Sequence, residues 1–335
     1  ESWGAALVYF TGSKNHNIRL RGLALQQGLS LNEYGFTNVK TNALEKIATE
    51  EAVYQKLGLP WIPPEIREDT GEIEAALAGK LPDLVTLEDI KGDCHAHTTE
   101  SDGSLTLDEL ARAAKAKGYQ WICVTDHTQS LSIANGLDPA RLDRELDAIA
   151  AWNEKHGSAK FQLLTGSEVD ILADGKLDLP DETLEKLDFV IASLHGDFKQ
   201  PKDAMTARVC KALSNANVDV MGHPTARLMP DREPVEMDFE KVLHVAKQHR
   251  TAMELNASPN RMDLSADQLR AAKNAGIKVV ISTDAHRLPD LDNMQLGVRQ
   301  ARRGWIEKKD VLNALPREEF LSYLRGATHR ERAVR

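Results

Sequence analysis

The stretch Gly92-Asp93-Cys94-His95-Ala96-His97-Thr98-Thr99-Glu100-Ser101-Asp102-Gly103 decides how the rest of the chain reads. As a β-strand, its two-residue pleat sends His95 and His97 to one side and Cys94 and Ala96 to the other. Two imidazoles on one side grip one ion. Asp102 follows in the loop, at a distance that suits a neighbouring ion better than the same one. Alone, a His-Xaa-His pair is weak evidence for metal, because short motifs discriminate poorly. Its weight comes from what recurs downstream.

From Asp89 onward, apolar runs that end in polar residues alternate with helical stretches. The strand-like runs are residues 90–97, 120–127, 161–168, 189–195, 218–223, 252–256 and 278–286. Between them, Thr106-Leu107-Asp108-Glu109 and Ser265-Ala266-Asp267-Gln268 are capping-box patterns, and Gly118 and Gly276 stop the helices they open. Residues 139–155, 205–215 and 239–249 have helical spacing, and 181–187 allows a short helix. Continuously apolar strands alternating with helices indicate a parallel sheet covered by helices. Without a Gly-rich nucleotide loop after the first strand, the pattern favours a closed or nearly closed α/β barrel, a (βα)7 unit, over a doubly wound sheet. Such barrels carry their chemistry at the carboxyl ends of the strands. His97, His127, Glu168, His195, His223, Asp284 and His286 all fall there.

Six of the eleven histidines end strands, and core histidines placed by packing alone have no reason to do so. Together with Asp102, Glu168 and Asp284 they are too many ligands for one ion, so two or three clustered ions are the natural reading. Each residue also has a plain structural role open to it. Asp126 and His127 fit a helix cap, Asp284 an Asx turn, Glu168 an ion pair with Arg or Lys, and His195 or His223 a satisfied core histidine. His16, His156, His244, His249 and His329 lie away from the strand ends and read as solvated.

Upstream, residues 5–10 read as a strand, residues 15–27 as a helix ended by Gly28, and residues 41–56 as a second helix. The prolines of Leu59-Pro60-Trp61-Ile62-Pro63-Pro64 break regular structure, and the chain up to about Leu87 reads as a linker. The organisation expected is therefore a small α+β subdomain at 1–58, a linker at 59–88, the barrel at 89–325 and a basic tail at 326–335. The 335 residues exceed one average domain, and 41% apolar content is ample for a core. No uninterrupted run of about 18 apolar residues exists, which argues against a membrane span. Three cysteines without paired spacing favour reduced thiols and a cytoplasmic setting. The start, Glu1-Ser2-Trp3-Gly4, has neither Met nor a basic region, which argues against a signal peptide and for a chain cut from something longer.

The net charge of −9 supplies no overall field to attract a polyanion. Three divalent ions less three carboxylates leave about +3 in the pocket, and that local charge removes the difficulty. Clustered ions activate water and hold the attacking and leaving oxygens of a displacement at phosphorus, so phosphoester hydrolysis follows from the ligand set.

Residues from about 89 to 325 resemble the PHP (polymerase and histidinol phosphatase) domain, in the version fused to family X DNA polymerases of bacteria and archaea. The resemblance rests on residues 92–98 with Ser101-Asp102-Gly103, on Thr125-Asp126-His127, Gly166-Ser167-Glu168-Val169-Asp170 and Ser193-Leu194-His195. It continues in Gly222-His223-Pro224-Thr225, Glu254-Leu255-Asn256 and Ser282-Thr283-Asp284-Ala285-His286. It implies a distorted seven-stranded barrel and three ions. One is held by His95, His97, Glu168 and Asp284, a second by the shared Glu168 with His195 and His223, and a third by Asp102, His127 and His286. Cys94 stands where the family usually has an aliphatic residue. Arg227 and Arg261 lie in segments similar to family segments near the pocket, which makes them phosphate-contact candidates, and His195 or Asp126 is a candidate for moving protons.

The opening, Tyr9-Phe10-Thr11-Gly12-Ser13 followed by residues 17–34, resembles the subdomain of the same polymerases that closes on the nascent base pair, where the Gly-Ser bond is often cis. Those polymerases carry their catalytic carboxylates upstream of this point, so the resemblance implies a C-terminal portion that does not polymerise. The activity implied is metal-dependent 3′-5′ exonuclease and 3′-phosphatase action on DNA 3′ ends, with abasic-site cleavage in some members. Manganese is the first choice of ion, with zinc or iron compatible. Two other readings stay open: a small-monoester phosphatase of the histidinol-phosphatase kind, and a non-catalytic, metal-stabilised DNA-binding module. The sequence indicates no oligomer.

Overall fold

In the computed structural model, which describes residues 1–328, the chain divides after Asp83 into two units. The first begins with helix α1 (Trp3–Thr11), where residues 5–10 read as a strand. An apolar run this short fits either element. Helix α2 (Lys14–Gln26) is capped by Ser13, whose hydroxyl accepts from the His16 amide, and the Gly12–Ser13 peptide bond is cis. An antiparallel sheet follows, of β1 (Leu29–Asn32), β2 (Gly35–Asn38) and β3 (Leu44–Glu45). The helix expected over 41–56 is thus strand at its start. Only α3 (Glu50–Lys56), capped by Thr49, is helical.

The stretch expected to be a linker is not extended. Residues 64–66 form a 3-10 turn and Glu72–Leu77 forms α4, with Ile62, Ile66 and Ile73 buried in the first unit. His16, read as solvated, is completely buried: its Nδ1 lies 2.6 Å from Glu72 Oε1 and its Nε2 2.9 Å from the Tyr54 hydroxyl. A buried imidazole needs such partners, and these are supplied from far along the chain.

The second unit is built on seven parallel strands in sequential order: β4 (Gly92–Asp93), β5 (Trp121–Val124), β6 (Gln162–Asp170), β7 (Phe189–Ser193), β8 (Val220–Met221), β9 (Ala252–Asn256) and β10 (Val279–Ser282). The rhythm of seven apolar runs is this sheet, although most strands are shorter than the runs. The helices are α5 (Leu107–Ala116), α6 (Pro139–His156), α7 (Asp181–Leu184), α8 (Lys202–Leu213), α9 (Phe239–His249), α10 (Ala266–Ala275), α11 (Met294–Arg303) and α12 (Arg317–Thr328). Thr106 and Ser265 form the expected capping boxes on α5 and α10, and Gly276, at φ 78°, caps α10 in the left-handed conformation.

Alternation along the strands sorts side chains between two apolar layers. On β5, Trp121 and Cys123 point inward with Phe189, Ile191 and Val280, whereas Ile122 and Val124 meet Leu110 and Ala114 of the helical layer. Inside, α12 closes the amino end of the barrel: Phe320 stacks on Trp121 with ring centroids 4.2 Å apart. Cys94, placed by the sequence on the packed side, belongs to this inner layer. The barrel is nearly closed. Past β4, Ala96 bridges Ala285 in parallel fashion, and the His97 amide donates to Ala285 O at 2.9 Å.

Asn313 joins the same two strands lower down. Its amide donates to Gly92 O at 2.9 Å and to Ile281 O at 2.7 Å, and its side-chain oxygen accepts from Ile281 N at 2.9 Å. Because Asn313 is completely buried, Asn313→Ala strands three backbone groups and is expected to cost about 3 kcal/mol. Urea unfolding checks this, and a loss below the scatter of surface substitutions contradicts the staple.

Among the described residues no helix is long and apolar enough to cross a membrane. The three cysteines are free thiols, with Cys94 and Cys123 buried. The basic tail expected at 326–335 lies mostly outside the described residues, as does His329.

Candidate metal centre

Two of the strands place polar side chains by pleat alone. On β6, Glu168 and Asp170 share a face, and on β9 Glu254 and Asn256 do. The histidines come from where the chain leaves the ladder. Residues 94–97 lie beyond the end of β4, so His95 and His97 are oriented by the Ala96 bridge rather than by strand pairing. His127 pairs with Glu168 in a parallel bridge past β5. His223 and Asp284 take left-handed backbone angles, φ 23° and 54°, which cost a non-glycine residue on the order of 1–2 kcal/mol each. The Asp102 loop turns tightly beneath them: a Cβ on Gly103 would fall 2.3 Å from His97 O.

These residues converge on one hollow of about 300 Å³, lined by Asp102, His127, Glu168, His195, Asp284 and His286, with Arg261 beside them. Glu168 is its centre. Its Oε2 lies 3.2 Å from His95 Nε2, 3.6 Å from His97 Nε2 and 3.0 Å from His127 Nδ1, and its Oε1 lies 3.2 Å from His195 Nε2 and 2.7 Å from His223 Nε2. Asp284 Oδ1 is 3.2 Å from His97 Nε2 and 3.5 Å from His95 Nε2. Asp102 Oδ1 is 3.3 Å from His286 Nε2 and 3.6 Å from His127 Nε2.

All nine residues expected as ligands are therefore together. Three groups have ligand atoms close enough for one ion: His97, Asp102, His127 and His286; His95, His97 and Asp284; and His127, Glu168 and His195. The membership overlaps the expected trio without repeating it, since His97 and His127 are each within reach of two groups.

Several of these ring nitrogens, His95 Nε2, His97 Nε2, His127 Nδ1 and His195 Nε2, are buried beside carboxylates yet lack a hydrogen-bond partner. Buried polar atoms are normally satisfied. Nitrogens aimed at a shared space among carboxylates fit divalent cations, and the mixed imidazole and carboxylate set suits zinc, iron or manganese.

The charges of Glu168, Asp284 and His97 agree, while His95, His195 and His286, raised against their own burial by neighbouring carboxylates, give up a proton to take an ion. Burial alone would raise the Glu168 and Asp284 carboxyls, but the surrounding imidazoles hold both well below the usual carboxylate range. Burial and the neighbouring His127 and His286 push His97 down to about 4, leaving it neutral and able to ligate.

The other expected site residues are placed differently. Asp126, a candidate proton carrier, is buried and does not line the hollow. Its carboxylate accepts from the Thr98 amide at 2.8 Å, the Thr98 hydroxyl at 2.5 Å and the Ser101 hydroxyl, which fixes the loop leading to Asp102. Arg227 also lies off the hollow, and its Nε donates to the Arg261 carbonyl. Arg261 does line it, with Nε 3.3 Å from Asp284 Oδ2 and a buried Nη1 without a partner.

Two residues quoted only as parts of motifs hold the histidines in place. Glu254 Oε1 takes His95 Nδ1 at 2.7 Å while its Oε2 accepts from the His223 amide, and Asp170 contacts His195 Nδ1. A lone charge inside an apolar strand such as Ala252–Asn256 was the available signal, since it demands a buried partner. Glu254→Gln is expected to weaken metal binding about 10- to 100-fold, read by competition with a chromogenic chelator. Unchanged affinity contradicts the positioning role.

Residues 93–258 match the family described as the PHP domain, and residues 6–68 the DNA polymerase beta thumb. Over 236 residues, 66% of this chain and 89% of the relative, the chain is 31% identical to a probable phosphatase of Thermoanaerobacter sp. (strain X514). Seven parallel strands, the histidine-rich rim and these matches place the chain in the PHP family of metal-dependent phosphoesterases. It pairs that domain with a polymerase-β-type thumb. Over 325 residues, 97% of its length, it is 42% identical to the DNA polymerase/3'-5' exonuclease PolX of Bacillus subtilis (strain 168), and it spans 56% of that relative.

Proposed function

We propose that this chain acts on DNA 3′ ends in DNA repair, as a 3′-5′ exonuclease and 3′-phosphatase with abasic-site cleavage as a further activity. The observation that carries the reading is the convergence of five imidazoles within 3.6 Å of the single carboxylate Glu168. Identity of 42% to the PolX exonuclease supports DNA as the substrate. Family X polymerase domains are the proposed partners, and free thiols fit a cytoplasmic setting.

Three divalent ions, manganese first and zinc or iron compatible, are assigned to His95, His97, Glu168 and Asp284; to Glu168, His195 and His223; and to Asp102, His127 and His286. When bound, such ions activate water and offset the charge of the phosphoryl oxygens. The chain's own groups do the rest. Arg261 offers its unpartnered Nη1 to a non-bridging phosphate oxygen. His195, at the wall of the hollow, is held through Nδ1 by Asp170, which turns its Nε2 toward the ion; both ring nitrogens are then committed, so the leaving alkoxide takes its proton from water rather than from this ring. Asp126 and Arg227 act as positioning residues for the Asp102 and Arg261 loops.

The test is reconstitution of metal-free protein with one metal at a time on labelled 3′-recessed duplex and 3′-phosphate ends. Manganese-dependent release of terminal nucleotides or phosphate is expected. Binding of DNA without cleavage under every metal sinks the proposal. A second reading, hydrolysis of a small phosphate monoester, draws on the match to a probable phosphatase along 89% of its length. Faster turnover of histidinol phosphate than of DNA ends would select it.

A further inference from the structure

The hollow is ionisable on every wall except one. Its apolar lining comes from a single segment, through Leu131, Ile133 and Ala134. Ile133 is 93% exposed, the reverse of where aliphatic side chains usually settle. The segment is nevertheless well anchored. Arg141 Nη1 donates to Asn135 O at 2.8 Å and Gly136 O at 3.2 Å, and Asn135 Nδ2 donates to Glu100 O at 3.0 Å. Ser130 N donates to Asp178 Oδ2 at 2.7 Å, and Leu137 N to His127 O at 2.7 Å. These bonds hold an exposed isoleucine at the mouth of a charged site.

A phosphate seated among the ligand residues leaves the organic part of its ester outside the polar rim. The apolar surface offered to it there is this lip. We propose that the 131–134 lip, with Ile133 at its tip, is the subsite for the nucleobase of the 3′-terminal nucleotide, and that Ile133 determines specificity for ends that carry a base. The inference rests on the reading of DNA 3′ ends as substrate. An aliphatic surface accepts the flat face of any base, so the contact is indifferent to base identity.

The experiment compares Ile133→Ala with the wild type on two 3′ ends that differ only in whether the terminal nucleotide carries a base or a tetrahydrofuran abasic analogue. Leu288→Ala, an exposed leucine outside the hollow, serves as control. Ile133→Ala is expected to raise KM on the base-bearing end about tenfold, the scale of lost apolar contact in a binding pocket, with kcat nearly unchanged. The penalty should vanish on the abasic end, which the wild type should itself bind more weakly by a similar factor. Ile133→Trp should restore or tighten the base-bearing end. Equal penalties on both ends, or none on either, overturn the lip. A wild-type protein that hydrolyses monoesters but no DNA end overturns the DNA reading as well, which failure of the lip alone leaves standing.

Discussion

Replacing Glu168 by glutamine is expected to lower turnover on any phosphoester about a thousandfold or more, and to reduce the metal held per chain. The two oxygens of Glu168 face five imidazoles at 2.7–3.6 Å. Glutamine keeps the volume, removes the charge and directs N–H donors at nitrogens whose lone pairs are needed. Burial would favour a protonated carboxyl here, but His195, His95 and His127 keep it ionised, so the substitution deletes a full charge. Metal content by elemental analysis, measured beside single-turnover rates, checks both halves. A variant with wild-type turnover and undiminished metal refutes the central place given to Glu168.

Chelation is expected to destabilise the protein, and by more as the pH rises. Without ions, burial disfavours protonated His195, yet Glu168 and Asp170 more than compensate and push it up to about 9. His286 is raised to about 9 against its own burial, by Asp102 and Asp284. An unfolded histidine titrates near about 6.5. Groups raised in the folded state add stability that is fully present below that value and is lost as the pH climbs through about 9. Bound cations have the opposite slope, because they take neutral rings and compete with protons. The fall in melting temperature on adding chelator should therefore be smallest at pH 6 and largest at pH 9. A fall that shrinks with rising pH contradicts the account.

Much of the site was legible because its ligands recur at one place in a repeating pattern. Each of His127, His195 and His223 follows an apolar run, and the barrel rhythm brings the ends of such runs together. The capping boxes at Thr106 and Ser265 and the stop at Gly276 were readable because they are local chemistry. Strand lengths were not. Residues 94–97 and 283–286 are apolar or alternating enough to continue a strand, but the chain leaves the ladder there to aim its side chains. Residues 5–10 show the same limit in reverse, since an apolar hexamer carries no period that separates helix from strand. His16 was misread for want of distant information: its neighbours on α2 are basic and polar, while its partners Tyr54 and Glu72 sit 38 and 56 residues away. Asp126 illustrates a third limit. Its sequence position beside His127 is that of a rim residue, and only its contacts with Thr98 and Ser101 show that it is buried beneath the loop and turned away from the hollow.

The joint between β4 and β10, made by the Ala96–Ala285 bridge and the Asn313 amide, has a bearing on how the protein behaves in company. A parallel sheet left open would present two rows of vacant peptide groups to any passing extended chain. Here the Ala96–Ala285 bridge, the Asn313 side chain and the Val279–Val311 bridge occupy several of those groups, which leaves a neighbouring molecule little template on which to add a strand. Loss of the Asn313 part of that stitch should show as association at high protein concentration, whereas loss of the Ala96–Ala285 part would also turn His95 and His97 out of place.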